Sequence, residues 1–270
     1  MPGRAAPRRS ARAEPDAVPE NARTGPATIP IDHFEKKLWP IQEMRRNMEY
    51  LDLSSYEYLE FPIPMCSIGW LGHEHGVQDA GAPPPAATDL EQLKAASWPE
   101  VSLTLGWHEC EFCPKGSTFK GNGEYHYYMK NGDVYSAPMM ITHYVEEHAY
   151  RPPVEFMEQL KEIGELDWDW RAERLAKILL DESEDLISRS RGIVDLANWK
   201  DSRTLDALKR AAQDEELADI AGDEIGRSLG LLLDCEFAAD LHIEDFSDFV
   251  RFGISQTRRE ATVPGQPGVC

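Results

Sequence analysis

The chain has 270 residues, enough for two modest domains, and its composition of 41% hydrophobic and 28% charged residues is ordinary for a globular protein. The formal net charge is −20, and the first thirty residues hold five arginines against three acidic residues, so the remainder carries about −22. Such a surface repels phosphate backbones, which argues against nucleic-acid binding.

The N-terminal segment 1–30 is rich in Pro, Ala and Arg, which predicts a disordered tail. No apolar segment follows its arginines, so we expect no secretory signal, and the longest apolar runs fall far short of the ~20 residues that a membrane helix needs. Five cysteines with a single close pair make a poor disulfide framework. We therefore expect a reduced, cytoplasmic protein that does not bind membranes.

Residues 31–164 predict an α+β domain. The stretch FPIPMCSIGWLG at 61–72 is expected to be extended, because it combines β-branched and aromatic residues with prolines at its start. A short helix should follow the proline-rich loop, with Thr88 or Asp89 as its N-cap. The alternation of apolar and polar residues in VSLTLGW at 101–107 predicts a strand.

The clearest local pattern is a β-hairpin over 123–137. Two aromatic-rich runs flank an Asn-Gly dipeptide at 131–132, which favours a tight turn because both residues tolerate positive φ. Pro138 is predicted to open a helix that Pro152 must end. A further helix should follow and close at Gly164.

Residues 165–252 change in character, because they contain no proline and their apolar residues recur at helical spacing. A faint repeat with an offset of 33 pairs Asp181 with Asp214, Ile187 with Ile220, and Leu196 with Leu229. This period resembles HEAT-type repeats, and a plain helical bundle is the alternative. Residues 165–250 hold 23 acidic against 10 basic residues, so most of the negative charge lies in this all-α HEAT-like domain. Residues 253–270 are expected to form a flexible tail.

Four residues have the spacing of a zinc site. Cys110 and Cys113 are separated by two residues, and His143 and His148 follow on the helix that is predicted after the hairpin. A turn presents two thiolates and a helix two imidazoles, the arrangement of many small zinc modules. A His-x4-His pair lies about 140° apart on a regular helix, so the helix must loosen near its end. The sequence predicts a zinc-finger-like α+β domain.

Other interpretations of these residues stay open. His108 or His126 could replace one of the histidines, or all four residues could be ordinary core residues. Two thiolates and two imidazoles fill a tetrahedron, so such a zinc site would be structural. His73 and His75 flank Glu74 and could belong to a catalytic metal site, although no third ligand follows nearby. A nucleophile formed by Cys110 or Cys113 with an imidazole is a further alternative.

Residues 66–160 resemble an uncharacterised bacterial family of actinobacteria and myxobacteria. The stretches that carry the resemblance are SIGWLGHEH, GWHECEFCP, GNGEY and YSAPMMITHYVEEHAYRPPVEF. The resemblance implies a compact α+β domain of unknown role. The helical segment is more loosely similar to helical segments of bacterial immunity proteins.

These observations favour a non-enzymatic interaction protein, in which a zinc-braced domain accompanies an acidic helical domain that binds a basic partner such as a toxin. The alternative is a metal-dependent hydrolase that uses His73, His75 and the cysteines.

Overall fold

The computed structural model describes residues 49–77, 81, 83–97, 107–117 and 119–260. All of them belong to Gln42–Cys270, one of the two compact units of the chain. The predicted tail at 1–30, the predicted strand at 101–107 except for its last residue, and the final ten residues lie outside the described part. The described part is α+β, as the sequence predicts.

The central sheet has three strands in the order β1-β5-β4. Its strands are β1 (Cys66–Ser67), β4 (Glu124–Tyr128) and β5 (Val134–Pro138). β5 pairs antiparallel with β4 and parallel with β1. A separate two-stranded ribbon joins β2 (His108–Glu109) to β3 (Lys120–Gly121).

The hairpin prediction is confirmed, but its turn differs from the predicted one. The Met129 amide donates to the Asp133 carbonyl and the Gly132 amide to the Met129 carbonyl. Gly132 has a φ of 100°, whereas Asn131 is not among the described residues with positive φ. The loop therefore has three residues, 130–132, one more than the predicted two-residue turn. Only its glycine adopts the left-handed backbone conformation.

The helices surround this sheet. They are α1 (Ala87–Ala96), α2 (Ile141–Glu147), α3 (Val154–Leu160), α4 (Trp170–Leu179), α5 (Leu186–Ser190), α6 (Ile193–Leu196), α7 (Ser202–Gln213), α8 (Glu215–Gly230) and α9 (Asp248–Glu260). Two 3₁₀ turns, Glu236–Ala238 and Ile243–Asp245, connect the last two helices. Among the described residues, no helix combines the length and apolarity that a membrane crossing requires.

Three local predictions need correction. Only Cys66–Ser67 of the stretch 61–72 forms a strand, because Pro62 and Pro64 lack the amide hydrogens that a ladder requires. α1 begins one residue before the predicted caps, after Ala86 and without a side-chain cap. Pro138 ends β5 rather than opening a helix, and α2 begins three residues later.

Every residue of β4 and β5 is buried, because each face of the sheet packs against a different layer. Tyr127 and Tyr135 face a cluster formed with α1, α2 and α3, and both contact the ring of Phe156. Tyr128 faces the helices α4 to α9, and its ring lies 4.9 Å from that of Trp199. The hydrophobic core therefore continues from the sheet into the C-terminal helices.

α8 and α9 pack against each other without intervening side chains. A Cβ atom at Gly226 would overlap the backbone of Val250, and one at Gly253 would overlap the backbone of Asp223. Residues 253–260, which the sequence assigned to a flexible tail, therefore continue α9. α8 itself bends at Ala221, where φ is −134° and ψ is 22°.

Charged contacts join the sheet to the helical segment. The Arg171 guanidinium on α4 donates to the carbonyls of Met129 and Asp133 in the hairpin loop, at 2.9 and 3.2 Å. Arg171 is 1% exposed and pairs with Asp169, so its charge is neutralised inside the core. The proposed division into domains 31–164 and 165–252 stays a prediction.

Limited proteolysis tests this division. Residues 161–165 form an exposed connection after α3, and we expect trypsin to cut after Lys161 under native conditions. Because both fragments contribute to one core, they should co-elute on gel filtration after cleavage. Fragments that separate and refold independently would instead support two autonomous domains.

Candidate metal centre

The two cysteines lie on a tight turn that follows β2. The Cys110 amide donates to the Phe119 carbonyl at 3.3 Å, which extends the ribbon by one pair. The amides of Phe112 and Cys113 point back to the Cys110 sulfur. This is the knuckle geometry that the Cys-x2-Cys spacing predicts, because such a turn frees amide groups to face sulfur.

The two histidines lie at the end of α2, where the helix loosens as the spacing requires. His143 is inside the helix, whereas His148 is its C-cap, with φ −120° and ψ 13°. Ala149 follows with a φ of +57°, a conformation that non-glycine residues rarely adopt. The sharp change of chain direction brings both imidazoles to the same point.

The ligand atoms of Cys110, Cys113, His143 and His148 all lie within 4.8 Å of one another. The two Nε2 atoms are 3.1 Å apart. His148 Nε2 lies 3.2 Å from Cys110 Sγ and 3.3 Å from Cys113 Sγ, and His143 Nε2 lies 3.3 Å from Cys113 Sγ. A tetrahedral zinc site has edges of about 3.3 Å between nitrogens and about 3.5 Å between nitrogen and sulfur. The cluster is therefore compatible with a metal site.

Hydrogen bonds among the four side chains cannot account for all of these short distances. His148 Nε2 has three close neighbours, yet a ring nitrogen carries either one hydrogen or one lone pair. A cation at the centre accepts all four lone pairs at once. The donor set, two sulfurs and two imidazole nitrogens, is the one that zinc prefers among common protein-bound cations.

Aromatic side chains fix the planes of the imidazoles. The Phe119 ring stacks on His143 at 3.7 Å between centroids, with only 10° between planes. Phe112 lies 5.6 Å from the His148 ring and 5.7 Å from Tyr144. These contacts restrict the orientation of both imidazole rings.

Burial affects the charge of the cluster. Desolvation raises the pKa of the Cys110 thiol, and desolvation followed by the neighbouring charge of His148 lowers the pKa of His143. A raised thiol pKa is the opposite of what an activated nucleophile needs, which weakens the alternative in which Cys110 is the nucleophile.

The other candidate histidines lie elsewhere. The His73 side chain is 75% exposed and pairs with Glu111 at 3.5 Å, and His75 pairs with Glu49 at 3.3 Å. His108 lies on β2 opposite Gly121. Within the described ranges, the only group of three or more potential metal ligands is the cluster of two cysteines and two histidines.

His126 belongs to a buried charge network that the sequence analysis missed. His126 Nδ1 lies 2.7 Å from Asp195 Oδ2 on α6, and the Tyr128 hydroxyl donates to the same oxygen at 2.9 Å. On the other side, His126 Nε2 lies 3.6 Å from Glu124 Oε1. The alternation in Glu-Tyr-His-Tyr-Tyr signals a polar face of β4, but it does not identify the partner 69 residues away.

The contacts within this network shift the pKa values of His126 and Glu124. Burial alone would lower the pKa of His126, but Asp195 and Glu124 raise it to about 10. Burial alone would raise the pKa of Glu124, but His126, Ser136 and Tyr56 lower it below its usual range. An imidazolium therefore lies between two carboxylates inside the core.

One known family matches the segment of the chain that contains the cluster. Residues 48–161 match a family described as a domain of unknown function (DUF7919). This match is consistent with the resemblance to an uncharacterised family, and the matched segment includes all four residues of the cluster. We find no matching curated protein and no matching solved structure.

Proposed function

We propose that Cys110, Cys113, His143 and His148 hold a structural Zn²⁺ in a non-enzymatic protein that binds a basic protein partner. The convergence of four ligand atoms within 4.8 Å carries the metal assignment. Four protein ligands complete a tetrahedron and leave no open position for a substrate or water. For this reason we favour a structural role for the metal over a hydrolytic one.

The charge of the helical segment supports the basic partner. Glu215, Asp219 and Asp223 follow each other at intervals of four along α8, and all three are exposed. Residues four apart share a face of a regular helix, so Glu215 and Asp219 lie on one face, and Asp223 follows beyond the bend at Ala221. We call these three exposed carboxylates the acidic stripe. Such a stripe accelerates association with a basic surface and makes binding sensitive to salt.

The helical segment also suits this role if its helices stack as HEAT-type pairs. Ile187 and Ile220, which the proposed repeat pairs, are both exposed, and Leu196 and Leu229 are both fully buried. Equivalent burial is expected of equivalent positions in stacked repeats. Immunity proteins that neutralise a basic toxin are one class that fits the charge and the helical segment together.

Metal analysis and protein capture test the two parts of this proposal separately. Mass spectrometry of the purified protein should find one zinc per chain that is released only on unfolding. The immobilised protein should capture a basic partner at low salt and release it as salt rises, while binding no DNA or RNA at physiological salt.

A matched pair of triple variants controls the capture experiment. Neutralising the stripe with Glu215→Gln, Asp219→Asn and Asp223→Asn should weaken capture about tenfold or more at low salt. Neutralising three exposed acidic residues outside the stripe (Glu182, Glu184 and Glu236) should have a smaller effect. Equal effects of the two triple variants, or turnover of a hydrolysable substrate, would contradict the proposal.

A further inference from the structure

A cleft of about 540 Å³ lies beside the metal cluster, and nothing in the proposal above uses it. Its walls come from the segment Glu49 to His73, from β2 and the cysteine turn, and from the start of α2. This volume falls within the range of typical ligand sites, about 300–1,000 Å³.

Aromatic rings form part of the wall. Tyr58, Trp70, Trp107 and Tyr144 all line the cleft. Trp70 is fixed, because its Nε1 donates to the Ser136 carbonyl at 3.0 Å and its ring lies 5.4 Å from Tyr58. Trp107 is 62% exposed and therefore available to a ligand. Faces of Trp and Tyr attract cations as well as apolar groups.

The charged groups of the cleft are mainly negative. Among its described lining residues are four carboxylates (Glu49, Glu109, Glu111 and Glu124) and one lysine, Lys115. Glu49 is held in place because its Oε2 accepts from the amides of Glu74 and His75, at 2.8 and 3.2 Å. A divalent metal would neutralise the two thiolates, so the carboxylates dominate the field of the cleft.

Glu124 is a buried carboxylate in the wall of the cleft. The side chain lines the cleft although the residue is 2% exposed. Its Oε2 accepts from the hydroxyls of Tyr56 and Ser136, each at 2.7 Å. Its Oε1 accepts no hydrogen bond, and His126 Nε2 is 3.6 Å away, beyond hydrogen-bond length. Because this oxygen is sealed from solvent and faces the His126 imidazolium, the acceptors that a ligand can reach are the exposed carboxylates of Glu109 and Glu111.

From this geometry we propose that the cleft binds an arginine side chain of a protein partner. The guanidinium supplies five N–H donors for the carboxylates, and its planar face stacks on tryptophan, which an ammonium group does less well. The proposal rests on the proposed function, because it names the group through which a basic partner is recognised.

The test compares two peptides that differ only in charge. One is an otherwise uncharged pentapeptide with a central arginine, and the other carries citrulline, which has the same shape without the charge. Isothermal titration should show that the arginine peptide binds at least about tenfold more tightly, because charged hydrogen bonds to the carboxylates of the cleft are lost with citrulline. Equal affinities, or no binding of either peptide, would overturn the proposal.

Protein variants then locate the binding site. Trp107→Ala and Glu109→Gln should each weaken arginine binding, and Trp170→Ala, which removes a tryptophan that is 56% exposed outside the cleft, should not. A lysine peptide of equal affinity would overturn the choice of guanidinium.

A failure of the cleft proposal can be distinguished from a failure of the proposed function. Zinc content and capture through the α8 stripe are measured without the cleft, so a failure of peptide binding leaves both intact. A protein without zinc, or capture that does not depend on the stripe, would instead refute the proposed function, whatever the peptides do.

Discussion

Cys110→Ser is expected to lose the bound metal and several kcal/mol of stability. A serine hydroxyl is a poor zinc ligand, so the substitution leaves only three effective ligands, Cys113, His143 and His148. Structural zinc contributes on the order of 10 kcal/mol of apparent folding free energy to small zinc domains, so removal of one ligand should be severe. Metal content by mass spectrometry and thermal unfolding by circular dichroism measure both effects.

Cys66→Ser is the matched control. Cys66 is a free, half-buried cysteine on β1, and it does not belong to the metal cluster. The control should retain one metal per chain and unfold near the wild-type temperature. A Cys110→Ser protein with unchanged metal content and melting temperature would show that these residues are ordinary core residues.

Asp195→Asn is expected to destabilise the protein by about 3–5 kcal/mol, the usual cost of breaking a buried ion pair. Asp195 is 1% exposed and holds both His126 and the Tyr128 hydroxyl, so the substitution leaves an imidazolium with Glu124 as its remaining counter-charge. Urea denaturation at neutral pH measures the change in unfolding free energy. The exposed Asp206 on α7 provides the control, and Asp206→Asn should change stability by less than about 0.5 kcal/mol.

The same pair makes stability depend on pH. The pKa of His126 is about 10 in the folded protein and about 6.5 in an unfolded chain. A raised pKa contributes stability fully below about pH 6.5, and this contribution is lost as the pH rises towards 10. Wild-type stability should therefore decline over this interval, and the decline should be shallower in Asp195→Asn. An identical pH profile in the two proteins would mean that His126 is neutral in the core.

Local features of the structure are predictable from the sequence, and long-range features are not. The cysteine turn, the hairpin at 131–132 and the loosened end of α2 follow from spacing and from residues such as Gly132, whose conformations depend on near neighbours. The pairing of His126 with Asp195 spans 69 residues and depends on how the helices dock on the sheet. Pro138 misled the prediction because a proline is acceptable at the last position of a strand as well as at the first of a helix.

Both faces of the sheet are buried in this chain, and the matched segment 48–161 supplies the cover for only one of them. In this chain Trp199, Asp195 and Arg171 cover the side of the sheet that carries His126 and Tyr128, and all three lie beyond residue 161. A chain with only the matched segment would expose that face, leave His126 without Asp195, and leave the hairpin carbonyls without the Arg171 guanidinium. A protein that contains this segment therefore needs an equivalent second layer over the sheet, from helices like those of this chain, from another domain or from another subunit. Proteins that contain the segment can therefore be grouped by what covers the second face of the sheet.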